Sequence, residues 1–526
     1  MQQISLYDTT LRDGTQGEDV SFSAEDKIKI AKRLDSFGVT YIEGGWPGSN
    51  PKDMEFFERA RNTKFAHAKI AAFGSTRRAK NPVEQDANIR ALLDAQTPVV
   101  TIFGKSWLLH VRQALQISPE ENLLIIADSI AYLKKHGKEV IYDAEHFFDG
   151  YKHDKAYAVQ TLQAAGKAGA EILVLCDTNG GTLPWEVAEI VSDVKKSISL
   201  PLGIHTHNDS ETAVASALLA VREGCIQVQG TINGYGERCG NANLCSIIPD
   251  LQLKMGYRCV SDEQLVHLTS VSRYVSELAN MKHQKNLPFV GESAFAHKGG
   301  VHVSAVMKTA LTYEHVVPEA VGSIRRVLIS DLSGRSNIIF KAKELGVYLD
   351  EKSPAVQKIV DEIKEMEHFG YSYEDAEGSF ELMVKRHTGE MKHFFDLERF
   401  KVSIQKDSLE KDARSEALIK IRVGSETEIT AAEGDGPINA LDKALRKALE
   451  KFYPELSQIH LTDYKVRVLD TQNATAAKVR VLIETKNDES SWNTVGVSPD
   501  VVEASWKALV DSISYHLLKH RTPDAV

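Results

Sequence analysis

At 526 residues the chain exceeds the span of one hydrophobic core, so two or three domains are expected. An apolar fraction of 42%, with 26% charged residues and only 15 prolines, describes a globular protein and excludes a disordered or fibrous one. A net charge of −10 spread along the chain offers no basic stripe for phosphates, which argues against nucleic acid as the main partner, and no apolar run approaches the ~20 residues of a membrane span.

Met1 leads straight into an apolar strand pattern without a basic leader, so we expect a cytoplasmic protein. From Ile4 to about residue 255, β-rich runs alternate with amphipathic helical stretches at the βαβ period. The predicted strands are Ile4 to Thr10, Tyr41 to Trp46, Lys69 to Gly74, Val99 to Gly104, Glu139 to Glu145, Glu171 to Asp177, Pro201 to His207 and Ile226 to Ile232. Before the first helix, Ser23 and Asp26 resemble a capping box; Ile30, Leu34 and Phe37 keep one face, and Gly38 suits the residue past its end.

Eight strands separated by helices predict a (β/α)8 barrel rather than an open sheet. Arg12, Asp13, Glu43, Lys105, Glu145, Thr178, His205, His207 and Asn233 all fall at or just beyond C-terminal strand ends, which a barrel gathers at one mouth. Residues 256 to about 395 lose this rhythm and read as mostly helical, with a polar loop at Gly291 to His302. Beyond about residue 398, strands such as Ala417 to Val423 and Lys478 to Glu484 alternate with two helices. Ile438, Leu441, Leu445, Leu449 and Phe452 line the first; Val502, Trp506, Leu509, Ile513 and Leu517 line the second. Each helix has a proline near its start, which suggests two duplicated strand-strand-helix units of an α+β domain. The expected division is a barrel at 1–275, a helical linker subdomain at 276–397 and a C-terminal domain at 398–526.

His205 and His207 are two apart on a predicted strand, so both imidazoles leave the same face and can share one metal. Such a pair is weak alone and stronger at the end of a barrel strand. Asp13 adds a hard oxygen ligand, giving an Asp-His-His set with positions left for substrate and water; zinc, manganese, cobalt and magnesium all suit it. Asp13-Gly14 by itself also reads as a plain turn. Arg12 can stabilise an oxyanion beside the metal, while Asp8 reads as a structural hydrogen-bonding group. In Asn233 to Asn243, glycines permit the close approach that would bring the side-chain oxygen of Asn241 to the metal. The five cysteines form no Cys-x-x-Cys pair and read as reduced thiols.

Together these motifs resemble the alpha-isopropylmalate, homocitrate and citramalate synthase family. Leu11-Arg12-Asp13-Gly14-x-Gln16 with Lys27 is similar to its first signature, and His205-x-His207-Asn208-Asp209 to its second. Gly299-Gly300-Val301-His302 and Thr312-Tyr313 resemble its subdomain, the last ~130 residues its effector-binding domain, and Tyr41 to Pro51 the bacterial citramalate synthase branch. The resemblance implies a metal-dependent Claisen condensation of acetyl-CoA with a 2-oxo acid, here pyruvate, with 2-oxoisovalerate next, followed by thioester hydrolysis. It implies Asp13, His205, His207 and Asn241 as metal ligands, Arg12 as oxyanion stabiliser and substrate contact, and Thr178 as the carboxylate-binding group. Glu145 is implied in acid-base work, with His302 and Tyr313 brought over the mouth by the subdomain; Glu145 and His302 both stay open as the base. It further implies a homodimer, isoleucine as feedback effector, and a role in isoleucine biosynthesis.

Two positions depart from the family pattern: Glu211, read as lying on the helix after the metal strand, stands where Gly is common, and Cys239 replaces a usual Ala. Cys239 raises a rival reading, a hydroxyacyl-CoA lyase with its cysteine in the last glycine loop. An inert barrel carrying a regulatory C-terminal domain is a second rival, and a metal-dependent hydrolase, which also gathers Asp and His at a barrel mouth, is a third.

Overall fold

Strands buried on both faces need helices outside and one another inside, and the chain meets this with a closed barrel. In the computed structural model, β1 (Ser5–Asp8), β2 (Tyr41–Gly45), β3 (Lys69–Ser75), β4 (Val99–Lys105), β5 (Glu139–Glu145), β6 (Ile172–Asp177), β7 (Leu202–Thr206) and β8 (Gln227–Gly230) are parallel neighbours in sequence order, and β8 closes on β1. All eight expected strands are present, with ends shifted by no more than two residues. The structure describes residues 2–408, 412–469 and 477–520.

Alternation sets the two sides of the wall. Leu6, Ile42, Ile70, Val100, Val140, Leu173, Ile204 and Val228 point outward into the core shared with the helices. Their inward neighbours Tyr7, Tyr41, Ala71, Val99, Ile141 and Val174 plug the lower barrel. One inward layer higher, Glu43, Thr101, Asp143, His205 and Gln229 are all buried, so the apolar plug carries a polar floor.

The helix Ala24–Phe37 shows how local sequence sets each crossover. Ser23 Oγ accepts the Asp26 N–H at 3.1 Å while the Asp26 carboxylate accepts the Ser23 N–H at 3.0 Å, and Gly38 ends the helix at φ 96°.

Residues Met1–Phe295 and Glu314–Arg325 form one unit, Ala296–Tyr313 and Arg326–Val526 a second. In the second, β9 (Ala296–His297) pairs with β10 (Arg326–Val327), and the helices Arg335–Glu344, Pro354–Phe369 and Glu377–Thr388 build a core around Ile338, Ile359, Ile363 and Phe380. The stretch Gly291 to His302, expected as loop, contains β9 and the first turn of the helix Gly300–Lys308.

Two antiparallel sheets follow: β11 (Asp396–Gln405), β12 (Arg414–Val423) and β13 (Glu426–Gly434), then β14 (His460–Val468), β15 (Val479–Lys486) and β16 (Ser491–Ser498). Each leads into a helix, Pro437–Leu449 and Val501–His520. The duplication extends to single hydrogen bonds: Thr430 Oγ1 donates to Ala444 O and Thr494 Oγ1 to Ala508 O, both at 2.8 Å and both fourteen residues on. Each unit holds three strands rather than the expected two, because β11 and β14 are largely exposed and charged and give no clean apolar alternation. Among the described residues no helix is long and apolar enough to cross a membrane.

Candidate active site

Three strand ends supply one cluster. Asp13 follows β1 in a turn whose N–H bonds return to Thr9 O, and His205 lies on β7 with His207 just beyond it. Because the histidines are two apart, both rings enter the barrel, and their Nε2 atoms approach to 3.3 Å. Asp13 Oδ2 lies 3.3 Å from His205 Nε2, in a geometry that makes no hydrogen bond. One ligating atom from each of Asp13, His205 and His207 falls within 4.8 Å of the others, and all three residues are buried.

Asn241 reaches the same corner from the loop after β8, through an isolated antiparallel bridge with His207. Glycine makes this possible: Gly240 has φ 90°, and a Cβ there would stand 2.1 Å from Gly234 O. Asn241 Oδ1 and Asp13 Oδ2 are buried without hydrogen-bond partners. Such atoms cost about 1–3 kcal/mol each when nothing satisfies them. Two imidazole nitrogens and a carboxylate oxygen at one buried point, beside a bridged residue whose buried amide oxygen has no partner, make a donor set that a divalent cation takes, so the residues present fit a metal.

The electrostatics agree with that use. Burial pushes the Asp13 carboxyl up, but Arg12, His205 and His207 outweigh it and hold it well below the usual carboxylate range. Burial and then the neighbouring His205 lower His207 to about 3, which keeps it neutral with a free lone pair. For His205, burial is opposed and overcome by Asp13, and the net direction is upward.

Arg12 is held from three sides. Its Nε donates to Glu43 Oε1 at 2.6 Å, Nη1 lies 3.3 Å from Asp13 Oδ1, and the guanidinium carbon sits 3.7 Å from the Phe73 ring centre. Lys27, buried, donates to Asp53 Oδ1 at 2.5 Å and to Gly44 O, while Asp53 Oδ2 accepts the Trp46 N–H. That pair fixes the turn that carries Trp46.

A cavity of about 220 Å³ opens above this floor. Arg12, Asp13, Glu145, Thr178, His205 and His207 of the expected residues line it. Glu145 is ion-paired with Lys105, and Thr178 Oγ1 accepts the His146 N–H at 2.9 Å. Glu43 lies beneath Arg12, and both Glu43 and Lys105 stay outside the lining. Asn233, expected at the mouth, turns away at φ 63° and donates to Ser272 O and Ser276 Oγ. Asp8 accepts two hydrogen bonds from Thr10, the structural use expected of it. His302 and Tyr313 lie in the second unit, exposed and stacked with ring centres 4.3 Å apart. Glu211 lies not on a helix but in the turn before Ala213–Arg222, left-handed at φ 59°.

Gln16, Trp46, Phe73, Phe103, Asp143, Cys176, Glu237 and Arg238 also line the cavity and were assigned no role from sequence. Phe73, Phe103, Asp143 and Cys176 share inward parity with His205, which strand counting alone would reveal. Burial raises the Asp143 carboxyl to about 7. Arg238 clamps the mouth: it donates to Asp209 through Nε at 2.8 Å and through Nη2 at 2.9 Å, and to Thr178 O at 2.8 Å.

A model described as HMGL-like matches residues 3–275, one described as homocitrate synthase post-HMGL domain-like matches 289–370, and one described as LeuA allosteric (dimerisation) domain matches 374–517. The chain is 58% identical to the (R)-citramalate synthase of Geobacter sulfurreducens, over 99% of this chain and 98% of that one. Identity to the (R)-citramalate synthase of Aquifex aeolicus is 56%, over 98% of both. The 2-isopropylmalate synthase of Methanocaldococcus jannaschii is 32% identical, over 98% of this chain and 95% of that one.

Proposed function

The chain belongs to the HMGL-like family, among the (R)-citramalate synthases, and from that premise we propose that it joins the methyl carbon of acetyl-CoA to the carbonyl carbon of pyruvate and hydrolyses the thioester, releasing (R)-citramalate and CoA. This makes it an acyltransferase that converts the acyl group into an alkyl group on transfer. The full-length likeness to (R)-citramalate synthases carries the reading, standing far above the likeness to 2-isopropylmalate synthase. The aromatic side of the cavity, Trp46, Phe73 and Phe103, supports the smaller acceptor, since a branched 2-oxo acid needs more room than the methyl group of pyruvate.

Asp13, His205, His207 and Asn241 are the residues that would hold a divalent cation, manganese, magnesium, zinc or cobalt, which supplies Lewis acidity to the oxygens of the 2-oxo acid. Arg12, fixed by Glu43 and Phe73, presents a guanidinium where the carbonyl oxygen gains charge as the new carbon–carbon bond forms. Thr178 already accepts from His146, so its own hydroxyl proton is left to donate to the acceptor carboxylate. Proton removal from the acetyl methyl group falls to Glu145, held by Lys105, or to His302, with Tyr313 as its partner in acid-base work.

The domain reading follows the same family. Residues 1–275 are the catalytic barrel, 276–397 a subdomain that closes over its mouth with His302 and Tyr313, and 398–526 the domain for dimerisation and for feedback by isoleucine. The setting is cytoplasmic isoleucine biosynthesis. A lyase would need Cys239 at the reacting carbon, whereas that thiol is exposed and outside the cavity lining.

The test is release of free thiol from acetyl-CoA against a panel of 2-oxo acids, with and without chelator. Release that requires pyruvate and stops on chelation supports the proposal. Release without any 2-oxo acid identifies a hydrolase, and a preference for 2-oxoisovalerate identifies a 2-isopropylmalate synthase.

A further inference from the structure

Behind His205 lies a buried chain that the mechanism above does not use. Gln229 pairs with His205 across β7 and β8, and its Oε1 lies 2.9 Å from His205 Nδ1. Its Nε2 donates to Asp143 Oδ1 at 3.1 Å. Gln229 is 1% exposed and Asp143 4%, so water does not compete for these bonds. His207, by contrast, has a buried Nδ1 with no partner.

We propose that Gln229 is a positioning residue that holds His205 as its Nδ1–H tautomer and so aims the Nε2 lone pair at the point shared with Asp13 and His207, and that Asp143 sets the direction of the Gln229 amide. The argument runs through donors and acceptors. Ionised, Asp143 can only accept, so in that form the NH2 end of the amide must face Asp143 and the oxygen must face His205. An amide oxygen cannot donate, so His205 Nδ1 carries the proton. In the neutral ring Nε2 then has no hydrogen, as a metal ligand requires. The other tautomer would place an N–H at that point and lose the bond to Gln229. His205 is thus the preset imidazole of the pair and His207 the adaptable one.

The inference rests on Asp13, His205 and His207 being the metal ligands, and the experiment separates the two. Cobalt(II) affinity of the full-length protein is measured by competition with a chelator, together with the visible absorption of the bound ion. The set is wild type, His205→Ala, Gln229→Leu and the exchange Gln229→Glu with Asp143→Asn. In the exchange a carboxylate at 229 accepts from His205 and from an amide at 143, so both hydrogen bonds survive with unchanged net charge. Gln229→Leu is expected to weaken cobalt binding about 10- to 100-fold and to change the spectrum, and the exchange to restore both. A merely space-filling role would leave Gln229→Leu, whose side chain has a similar volume, with wild-type affinity and spectrum. Should Gln229→Leu fail to fold, the exchange is compared with Asp143→Leu alone, which removes the acceptor that orients the amide and must bind cobalt more weakly than the exchange. Wild-type affinity and spectrum in Gln229→Leu, or an exchange no better than Asp143→Leu alone, overturns the proposal. Equal binding by wild type and His205→Ala overturns the ligand assignment instead.

Discussion

Arg12 donates through Nε to Glu43 Oε1 at 2.6 Å, and the carboxylate that receives it is wholly buried beneath the cavity. The other oxygen of Glu43 accepts the Tyr7 hydroxyl at 2.7 Å, and Tyr7 in turn meets Thr101, so the guanidinium rests on a chain anchored in three strands. Glu43→Gln keeps the shape and removes the countercharge, leaving the cation to Asp13 and Phe73. If the guanidinium acts, as proposed, on charge that develops during the reaction, kcat should fall roughly 10- to 100-fold with a smaller change in KM for the 2-oxo acid. Thiol-release kinetics decide it; a raised KM at unchanged kcat would mean that Arg12 only binds substrate.

Asp8 titrates where few carboxylates do. It is completely buried, and despite two hydrogen bonds from Thr10, burial pushes it up to about 7. The folded protein therefore keeps a proton that the unfolded chain releases near pH 4. Between those values the native state binds more protons, so this group makes stability fall as pH rises from about 4 to about 7 and leaves it lowered above. Asp8→Asn removes the titration and keeps an acceptor for the Thr10 N–H. The variant should match wild type at pH 4 and gain on the order of 3 kcal/mol by pH 8. Thermal unfolding across that range checks it, and parallel pH curves for the two proteins would contradict the assignment.

Much of the barrel and the clustering of Asp13, His205 and His207 was legible because both depend on local order. Strand spacing, a His-x-His on one face and an Asp past the first strand need no knowledge of which strands touch. What escaped depends on register or on the chain's turns. Asp143 and Gln229 sit on inward positions of their own strands, yet only the pairing of His205 with Gln229 makes them one chain. Asn233 stands at a strand end as expected, but one left-handed residue sends its side chain toward Ser272 and Ser276. The first strand of each C-terminal unit was missed because Arg399, Lys401 and Tyr464, Lys465 give mixed, mostly exposed faces.

Glu211 departs from its expected helical place for the same reason, and its true conformation makes a prediction. At φ 59° in an exposed turn, with its N–H bonded to Asn208 O, a residue with a Cβ carries about 1–2 kcal/mol of strain. Glycine removes that strain and gives back about 0.5–1 kcal/mol through the greater freedom of the unfolded chain. Glu211→Gly should therefore raise Tm slightly, by about a degree in a chain of this length, at unchanged kcat, whereas Glu211→Ala, which keeps the Cβ, should not. Equal Tm gains in both variants would show that the charge, and not the backbone, was responsible.

Acceptor choice should lie with Phe103. Its ring stacks on Phe73 with centres 5.4 Å apart and meets Trp46 edge-on at 5.7 Å, closing one side of the cavity. Phe73 is the poorer residue to alter, because it carries the Arg12 guanidinium and its loss would blur binding with catalysis. Phe103 is only partly buried, so Phe103→Val should cost no more than about 1–3 kcal/mol of stability. The space gained matches the extra methyl groups of 2-oxoisovalerate, each worth about 1–3 kcal/mol in an apolar pocket. We expect the ratio of kcat/KM for 2-oxoisovalerate over pyruvate to rise roughly 10- to 200-fold, mostly through loss of the clash rather than loss of pyruvate turnover. If both acceptors decline together, the ring supports the site without selecting its substrate, and the discrimination must come from other lining residues such as Asp143 and Cys176.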